Sequence, residues 1–232
     1  MKAFCITVKN NTISESGFNA CWQSCREIGN NFNVERFDAT DHYGVASEMM
    51  NWDLFWNYPW EGKVSCIATG LIKSAYPTAV KTKRMAAAVS HFRLWTECFE
   101  TKEPIIVLEH DAFFIKKLDY QYILDSKYDI IGINNPLGAT RRAQAFHDII
   151  KKNKKDIQPV PTIDEFNIPQ GLAGNSAYII KPSGAEKMIE LVFKYGLWPN
   201  DALMCKQLVD KIGVTKTFYT RVQGLTSTTT QH

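Results

Sequence analysis

The stretch that decides the fold reads Ile105-Ile106-Val107-Leu108-Glu109-His110-Asp111. Its first four residues form an uninterrupted apolar run, mostly β-branched, which is typical of a strand covered on both faces of a parallel sheet. The run stops where the charged residues begin. We therefore predict a central strand that presents acidic side chains at its carboxyl end.

Outward from this stretch, strand and helix patterns alternate along the chain. Apolar residues at helical spacing predict helices between the strands, among them Met85–Phe99 and a last one from Pro199 to Ile212. This alternation predicts an α/β fold with a mainly parallel central sheet and helices on both faces, whose ligands bind beyond the carboxyl ends of the strands. The other predicted strands are Lys2–Val8, Val34–Phe37, Tyr128–Ile133, Ala177–Ile180 and Thr217–Tyr219.

The composition is that of one folded domain over residues 1–232, because 45% of the residues are hydrophobic and 22% are charged. This balance excludes disorder for most of the chain. The apolar run Ala3–Val8 is far shorter than the roughly 20 residues of a membrane span, so we expect a cytoplasmic protein. The six cysteines include no Cys-x-x-Cys pair, and we expect them to pack as reduced thiols.

Positive charge is concentrated between Gly138 and Asp156, which we call the basic segment. It carries six basic residues against two acidic ones, whereas the net charge of the whole chain is only +3. Such a segment attracts the phosphates of nucleic acid, lipid headgroups or saccharides. The alternative is a helix face that is simply solvated.

Glu109 and Asp111 are the candidate metal ligands. On an extended chain they emerge on the same side, with His110 on the other. Mg²⁺ and Mn²⁺ prefer oxygen ligands, and one or two carboxylates together with substrate phosphates complete such a site. The alternative is a pair of solvated turn residues. The sequence contains no phosphate-binding lysine loop, dinucleotide glycine motif, serine elbow or zinc-protease motif, which favours the metal interpretation.

Five aromatic residues cluster in a short region of the chain. At helical spacing such residues are more often part of a core, and the alternatives are stacking on a sugar or base, or binding to a membrane surface. The cluster comprises Trp52, Phe55, Trp56, Tyr58 and Trp60.

Several separated segments together resemble glycosyltransferase family 25, and the resemblance spans most of the chain in the expected order. The Ser-His helix and the acidic strand end are its most specific parts. The matching segments are Phe4–Val8, Phe37–Asp41, Ala88–Trp95, Ile106–Ala112, Gly174–Ile180 with Gly184-Ala185, and Pro199-Asn200-Asp201.

The resemblance implies a GT-A type nucleotide-binding fold and transfer of a sugar from a nucleotide-sugar donor, a UDP-sugar by expectation, to an acceptor hydroxyl with inversion. It implies Mn²⁺ or Mg²⁺ held by Asp111 with support from Glu109, and Asp201 as the catalytic base. The residues that it places at the donor or cofactor are Ile6, Thr7, Val8, Phe37, Asp38, Ala39, Glu109, His110 and Asp111, and we add Arg84 as a residue that can reach a phosphate.

Two positions depart from the family pattern. His110 stands at the central acid of the metal motif, and Lys83-Arg84 replaces an acidic residue before the Ser-His helix. Arg84 can instead bind a phosphate bidentately. Asp201 lies in a predicted first helical turn, where the helix dipole keeps a carboxylate ionised and makes it a weaker base. His91 of the Ser-His pair is expected to be a core histidine with a structural or donor-side role.

The acceptor is expected to be anionic, because the basic segment follows a strand end. Two acceptors stay open: a saccharide of the lipopolysaccharide type, and a hydroxymethylated base in DNA of the kind that bacteriophage glycosyltransferases modify. The alternative function is a non-catalytic module that binds a nucleotide sugar or a polyanion. The Ser/Thr-rich tail Gly224–His232 is expected by default to be disordered. The similar Ser/Thr-rich end of the family implies the alternative that the tail folds over the diphosphate, with His232 as a further ligand.

Overall fold

The structure is a computed structural model that describes residues 1–138, 142–163, 171–226 and 228, and the backbone alone of residues 167 and 168. Its helices are α1 (Thr12–Glu27), α2 (Val45–Asn51), α3 (Lys81–Thr101), α4 (Tyr120–Leu124), α5 (Ala143–Lys152), α6 (Pro182–Tyr195) and α7 (Asn200–Leu203). Its strands are β1 (Lys2–Thr7), β2 (Val34–Asp38), β3 (Lys63–Ser65), β4 (Ile72–Ser74), β5 (Ile105–Glu109), β6 (Ala112–Phe114), β7 (Ile130–Gly132), β8 (Ile157–Pro159), β9 (Asn167–Ile168), β10 (Ala177–Ile180), β11 (Ile212–Thr215) and β12 (Thr220–Val222).

The main sheet has the strand order β2-β1-β5-β10-β7-β11-β8. Five of these strands run in one direction, whereas β10 and β8 run in the other. Two smaller sheets pair β6 with β12, and β4 with β3 and β9. The carboxyl ends of β1, β2, β5, β7 and β11 therefore lie along one edge, which we call the carboxyl edge.

Strand β5 lies in the middle of the core, as the apolar run predicts. Ile105 and Val107 pack in the cluster that contains the buried faces of α3 and α6. Ile106 and Leu108 pack in the opposite cluster, with Cys21 and Cys25 of α1 among its members. Helices thus cover both faces of the sheet, because alternate side chains of a strand point to opposite faces. All six cysteine side chains are buried, in agreement with the packing role expected of them.

The direction of β10 differs from the simple alternating pattern. Ala177–Ile180 pairs antiparallel with both β5 and β7. A four-residue run that is buried on both faces has the same apolar pattern in either direction. The amino end of β10 consequently lies at the carboxyl edge, beside the end of β5.

The prediction of a last helix from Pro199 to Ile212 is wrong. Helix α7 ends at Leu203, and Ile212–Thr215 forms strand β11 instead. Gly213 packs against Tyr128, since a Cβ there would meet Tyr128 Cγ at 2.6 Å. The final strand also begins later than predicted, at Thr220 rather than Thr217.

Helices in the described part of the chain are too short or too polar to cross a bilayer. The cytoplasmic location stays a prediction. Arg141 of the basic segment and His232 lie outside the described residues, as does most of the tail after Thr226.

Candidate active site at the carboxyl edge

The ends of β1, β2 and β5 meet at the same level of the sheet. Ile6 pairs with Phe37 on one side and with Glu109 on the other, and Thr7 pairs with Asp38. The parallel register therefore brings together the sequence-predicted donor residues of three separate segments. Ligands of open α/β sheets bind outside such strand ends.

Local contacts limit what some of these residues can offer a ligand. Thr7 is fully buried, and its hydroxyl donates to the Cys5 carbonyl at 3.0 Å. Its own carbonyl accepts from the Ala39 N–H at 2.9 Å, and the Val8 N–H donates to Ser14 Oγ at 2.8 Å. Asp38 is more open, with its side chain 56% exposed and paired with Arg36 Nε at 2.7 Å.

Glu109 ends β5, and His110 and Asp111 connect it tightly to β6; we call these three residues the acidic turn. The two carboxyl groups are close enough for the charge of Glu109 to raise the pKa of Asp111. They approach each other through a turn rather than through the strand alternation that the sequence suggests. Burial lowers the pKa of His110, and the neighbouring Glu109 charge opposes that change.

Asp111 is a partly buried carboxyl group in a setting that disfavours its negative charge. Burial first, and the charge of Glu109 second, raise its pKa from 3.8 to about 7, while a hydrogen bond from Ser176 acts the other way. Its Oδ1 atom is buried without a hydrogen-bond partner. A bound cation would satisfy that oxygen and neutralise the paired charges.

The acidic turn fits a divalent cation that shares its shell with phosphates. No group of three or more His, Cys, Asp and Glu side chains in the described ranges could hold a metal ion alone. Mg²⁺ and Mn²⁺ sites often use one or two carboxylates plus substrate phosphates, however. Glu109, Asp111 and the orphaned Asp111 oxygen match that type of donor set.

Two distant residues pack directly against the acidic turn. Gly17 of α1 lies so close that a Cβ there would meet His110 O at 2.6 Å. The Gln223 side chain donates to the carbonyls of Gly17, His110 and Ala112 at 2.9, 3.1 and 3.0 Å. The backbone N–H of Gln223 donates to Asp111 O at 2.8 Å. The chain just before the Ser/Thr-rich tail therefore supports the turn from behind.

Asp201 belongs to a group that we call the Asp201 wall, made of Tyr76, Arg84 and Asp201. The Tyr76 hydroxyl donates to Asp201 Oδ2 at 2.9 Å. The charge of Glu109 contributes to the raised pKa of Asp201, so the wall and the turn share one electrostatic environment. The Tyr76 ring packs in turn against Tyr58 at 5.9 Å.

The expectation that the helix dipole makes Asp201 a weaker base is overturned. Burial raises the pKa of Asp201, and this effect outweighs the lowering by Tyr76 and Arg84. Helix α7 has only four residues, so little backbone dipole develops there. A carboxylate with a raised pKa is a stronger base than an ordinary aspartate.

Arg84 is the basic member of the Asp201 wall. Its guanidinium lies 4.9 Å from the centre of the Tyr76 ring and lowers the pKa of Asp201. Its Nε donates to Thr78 Oγ1 at 2.7 Å and its Nη2 to Pro77 O at 3.1 Å. Phosphate binding by Arg84 stays a prediction.

Sequence reasoning missed Tyr76, Asn175 and Gln223, and it set His91 aside. Asn175 is 7% exposed and its Oδ1 has no hydrogen-bond partner, although its Nδ2 reaches Met204 Sδ at 3.4 Å. His91 contacts Glu109 directly. The resemblance to the Ser-His helix was the one signal that pointed to His91, whereas Tyr76 and Gln223 stand in no motif.

The basic segment also reaches the carboxyl edge. Ile157 pairs with Thr215 at the end of β11, so the chain from Lys151 to Asp156 lies at that end of the strand. Lys151 Nζ donates to Lys216 O at 3.0 Å, which fixes the end of α5 there. Three strand spacings separate β11 from β5, or about 14 Å.

The aromatic cluster is not a helical core. Helix α2 ends at Asn51, and of the five residues only Tyr58 is buried. Trp56 and Trp60 stack with their ring centres 4.7 Å apart, while Trp52 and Phe55 are 38% and 54% exposed.

The fold is that of an open α/β protein with its candidate site at the carboxyl edge of the sheet. The profile of glycosyltransferase family 25 (LPS biosynthesis protein) matches residues 28–204. This match covers well over half of the chain, so the chain belongs to that family. Membership confirms the resemblance seen in the sequence and the predicted α/β fold of the GT-A type.

Two solved structures are similar to the chain. One is the glycosyltransferase GlyE of Streptococcus pneumoniae TIGR4, at 9% identity and a TM-score of 0.43, where the match covers 92% of this chain and 44% of GlyE. The other is an active-site mutant of LgtC, at 8% identity and a TM-score of 0.44, covering 92% of this chain and 72% of LgtC. The chain thus spans less than half the length of the GlyE structure. Among curated proteins, none matches the chain by sequence.

Proposed function

We propose that the chain is a metal-dependent glycosyltransferase that moves a sugar from a nucleotide-sugar donor, of the UDP-sugar class, to an acceptor hydroxyl with inversion. The observation that carries the proposal is the acidic turn, where Asp111 has a buried oxygen without a partner beside the charge of Glu109. Membership of glycosyltransferase family 25 supports transfer over the alternative of a non-catalytic binding module.

In this proposal Asp111 and Glu109 hold Mn²⁺ or Mg²⁺ against the donor diphosphate. When bound, the cation supplies electrostatic stabilisation of the negative charge that develops on the leaving diphosphate. Asp111 must release its proton to act as a ligand, and its raised pKa makes that release occur near neutral pH. The turn stays in place because Gln223 and Gly17 support its backbone.

Asp201 accepts the proton of the acceptor hydroxyl. Its raised pKa favours proton uptake, and Tyr76 orients the carboxylate through Oδ2. In this proposal Asp201 takes that proton on the side of the anomeric carbon opposite the leaving group, so that the attack inverts the anomeric centre. The configuration of the product, measured by NMR, tests inversion directly.

The first experiment measures nucleotide release from UDP-, GDP-, CMP- and ADP-sugars with Mn²⁺, with Mg²⁺ and with a chelator. We expect turnover of one donor class, lost on chelation and about 10³-fold lower in Asp111→Asn. Asp201→Asn should lower kcat for transfer about 10²- to 10³-fold with little change in the KM for donor.

Exposed Asp210, in the turn that precedes β11, offers the matched control. Asp210→Asn removes a carboxylate of the same kind and should leave turnover unchanged. Full activity in the presence of chelator, or wild-type turnover in Asp111→Asn, would remove the metal from the mechanism. Donor binding without turnover under every condition would instead support the binding module.

For the acceptor we propose an anionic saccharide, whose charged group the basic segment contacts at the carboxyl edge. Lys154 and Lys155 are exposed there. The family description names lipopolysaccharide biosynthesis, which favours a saccharide over modified DNA. An oligosaccharide of a few units spans the distance from the acidic turn to the end of β11.

The acceptor proposal is tested with a neutral oligosaccharide and its phosphorylated counterpart. Lys154→Glu with Lys155→Glu should raise the KM for the phosphorylated acceptor about tenfold and leave the neutral acceptor unchanged, because each lost contact to phosphate costs a charge-assisted interaction. Transfer to hydroxymethylated duplex DNA, with affinity that falls steeply as salt rises, would establish the DNA acceptor instead.

A further inference from the structure

Four side chains form a continuous hydrogen-bond chain that ends on the acidic turn. Trp95 Nε1 lies 2.9 Å from the Tyr178 hydroxyl, which lies 2.9 Å from His91 Nδ1. His91 Nε2 lies 3.2 Å from Glu109 Oε1. Trp95, Tyr178 and His91 are at most 1% exposed, whereas the side chain of Glu109 is 37% exposed. The chain therefore leads from the core to a carboxylate at the site.

The chemistry of its two ends fixes the direction of this chain. The Trp95 indole can only donate a hydrogen bond, and a carboxylate can only accept one. Tyr178 oxygen therefore accepts from Trp95, His91 Nε2–H donates to Glu109, and Nδ1 of a neutral ring accepts the Tyr178 hydroxyl proton. Each group is then satisfied with no proton left over.

The chain also links three elements of the fold. His91 and Trp95 lie one turn apart on α3, and Tyr178 of β10 pairs with Val107 of β5, two residues before Glu109. The His91 ring stacks on the Tyr178 ring, with centres 5.8 Å apart and planes 18° apart. Packing holds both rings independently of Glu109, so the Nε2–H group of His91 has a fixed position.

We propose that His91, held by Tyr178 and Trp95, is a positioning residue for Glu109. By donating to Oε1 it fixes the carboxylate and directs the second oxygen to the cation that the proposed function places at the acidic turn. This inference rests on that proposed function. A histidine that only fills the core would not require Tyr178 and Trp95 to fix its tautomer toward a half-exposed carboxylate.

The test measures Mn²⁺ affinity of the donor-free protein, by electron paramagnetic resonance of the free ion. His91→Leu removes the donor, and Tyr178→Phe keeps the packing but leaves Nδ1 without its proton donor. We expect each to raise the Kd for Mn²⁺ about tenfold, because partners of metal ligands typically contribute 10- to 100-fold. His91→Gln keeps an N–H at a similar reach and should recover part of the affinity.

Tyr58→Phe is the matched control, since Tyr58 is a buried tyrosine whose hydroxyl donates to Ser74 O at 2.9 Å. It should lower the melting temperature by a similar amount to Tyr178→Phe and leave Mn²⁺ affinity unchanged. Equal Mn²⁺ affinities in wild type, His91→Leu and Tyr178→Phe would overturn the positioning role. If Tyr58→Phe lost as much Mn²⁺ affinity as Tyr178→Phe, general destabilisation would explain the loss and the positioning role would be rejected.

Two further measurements separate this inference from the proposed function. If Glu109→Gln and Asp111→Asn leave Mn²⁺ affinity unchanged, the metal site itself fails. If both weaken Mn²⁺, His91→Leu should add nothing in the Glu109→Gln background, because His91 acts through Glu109; additive losses would contradict the inference. Nitrogen-15 NMR of the metal-free protein should identify the Nε2–H tautomer of His91, and an Nδ1–H tautomer would refute the direction of the chain.

Discussion

The acidic turn and the Asp201 wall each raise the pKa of an aspartate, but they do so in different settings. At Asp111, burial and a second carboxylate act together, and a hydrogen bond from Ser176 only partly opposes them. At Asp201, burial is opposed by Arg84 and by the Tyr76 hydroxyl. The turn thus has uncompensated negative charge and suits a cation, whereas the wall already has a cation and suits a base.

The two regions also differ in how they are built. The turn ends a central strand and is supported by α1 and by Gln223. The wall combines residues from an irregular stretch, the start of α3 and a four-residue helix. Changes to the support of each region should therefore affect different steps of the reaction.

The largest effect is expected from substituting two glycines, one packed against each region, because the two substitutions should change different kinetic and binding parameters. A Cβ at Gly171 would lie 2.9 Å from Asp201 O and would overlap the Met204 carbonyl, while one at Gly17 would lie 2.6 Å from His110 O. We expect Gly171→Ala to lower kcat about 10²-fold at unchanged Mn²⁺ affinity, and Gly17→Ala to weaken Mn²⁺ about tenfold, each costing roughly 1–3 kcal/mol of stability.

Gly184 is the control for crowding alone, because a Cβ there would lie 2.7 Å from Asp129 O, just before β7 and away from the carboxyl edge. Gly184→Ala should lose stability and keep both kcat and Mn²⁺ affinity. If Gly17→Ala and Gly171→Ala changed the same parameter, the distinction between turn and wall would not hold.

An intermediate effect concerns the stability of the metal-free protein. The folded-state pKa of Asp111, about 7, exceeds the unfolded value. The free energy of unfolding is therefore highest below about pH 4, where Asp111 is protonated, and it decreases as the pH rises through about 7 and the buried carboxyl group ionises. Asp111→Asn cannot ionise and should melt about 3 °C higher than wild type at pH 8, with the difference vanishing near pH 4.

The same melting temperatures are then measured with Mn²⁺ added. It should raise the melting temperature of wild type and of Asp201→Asn, but not that of Asp111→Asn, because only the last has lost a ligand. A melting temperature of Asp111→Asn below that of wild type at pH 8 without metal would show that the Asp111 carboxylate is stabilising, which is opposite to our expectation.

The smallest expected effect concerns the pH profile of the Asp201 wall. The Tyr76 hydroxyl lowers the pKa of Asp201, so Tyr76→Phe should raise it further. The acidic limb of kcat should then move to higher pH by about half a unit, with Mn²⁺ affinity unchanged. A limb that moves to lower pH, or that is absent from wild type, would exclude Asp201 as the base.

The parts of the fold that the sequence predicted are those with a local signal. Strand β5 was predictable because four consecutive apolar residues are followed by charge. Helix α3 was predictable because its apolar residues recur at helical spacing. The direction of β10 was not, because its apolar pattern has no polarity. The false helix over Pro199–Ile212 followed from a periodic spacing of apolar residues that the structure buries in turns and in β11.

Of the candidate site, local sequence patterns predicted the acidic turn but not the side chains that contact it. The contacts that complete it join residues far apart in the chain: Tyr76 with Asp201, His91 with Tyr178, and His110 with Gln223. None of these pairs has a spacing pattern, since side chains from separate elements meet only after the sheet has formed. The resemblance to family 25 located Asp201 and the Ser-His pair without revealing their partners.

By itself the sequence determined which strand would be buried and where its charge would emerge, because hydrophobic patterning acts over a few neighbouring residues. Only the tertiary structure decided the partners of the acidic side chains: none for one oxygen of Asp111, a tyrosine for Asp201 and a histidine for Glu109. These depend on the register and direction of strands, which long-range packing selects from many arrangements that the same local patterns allow.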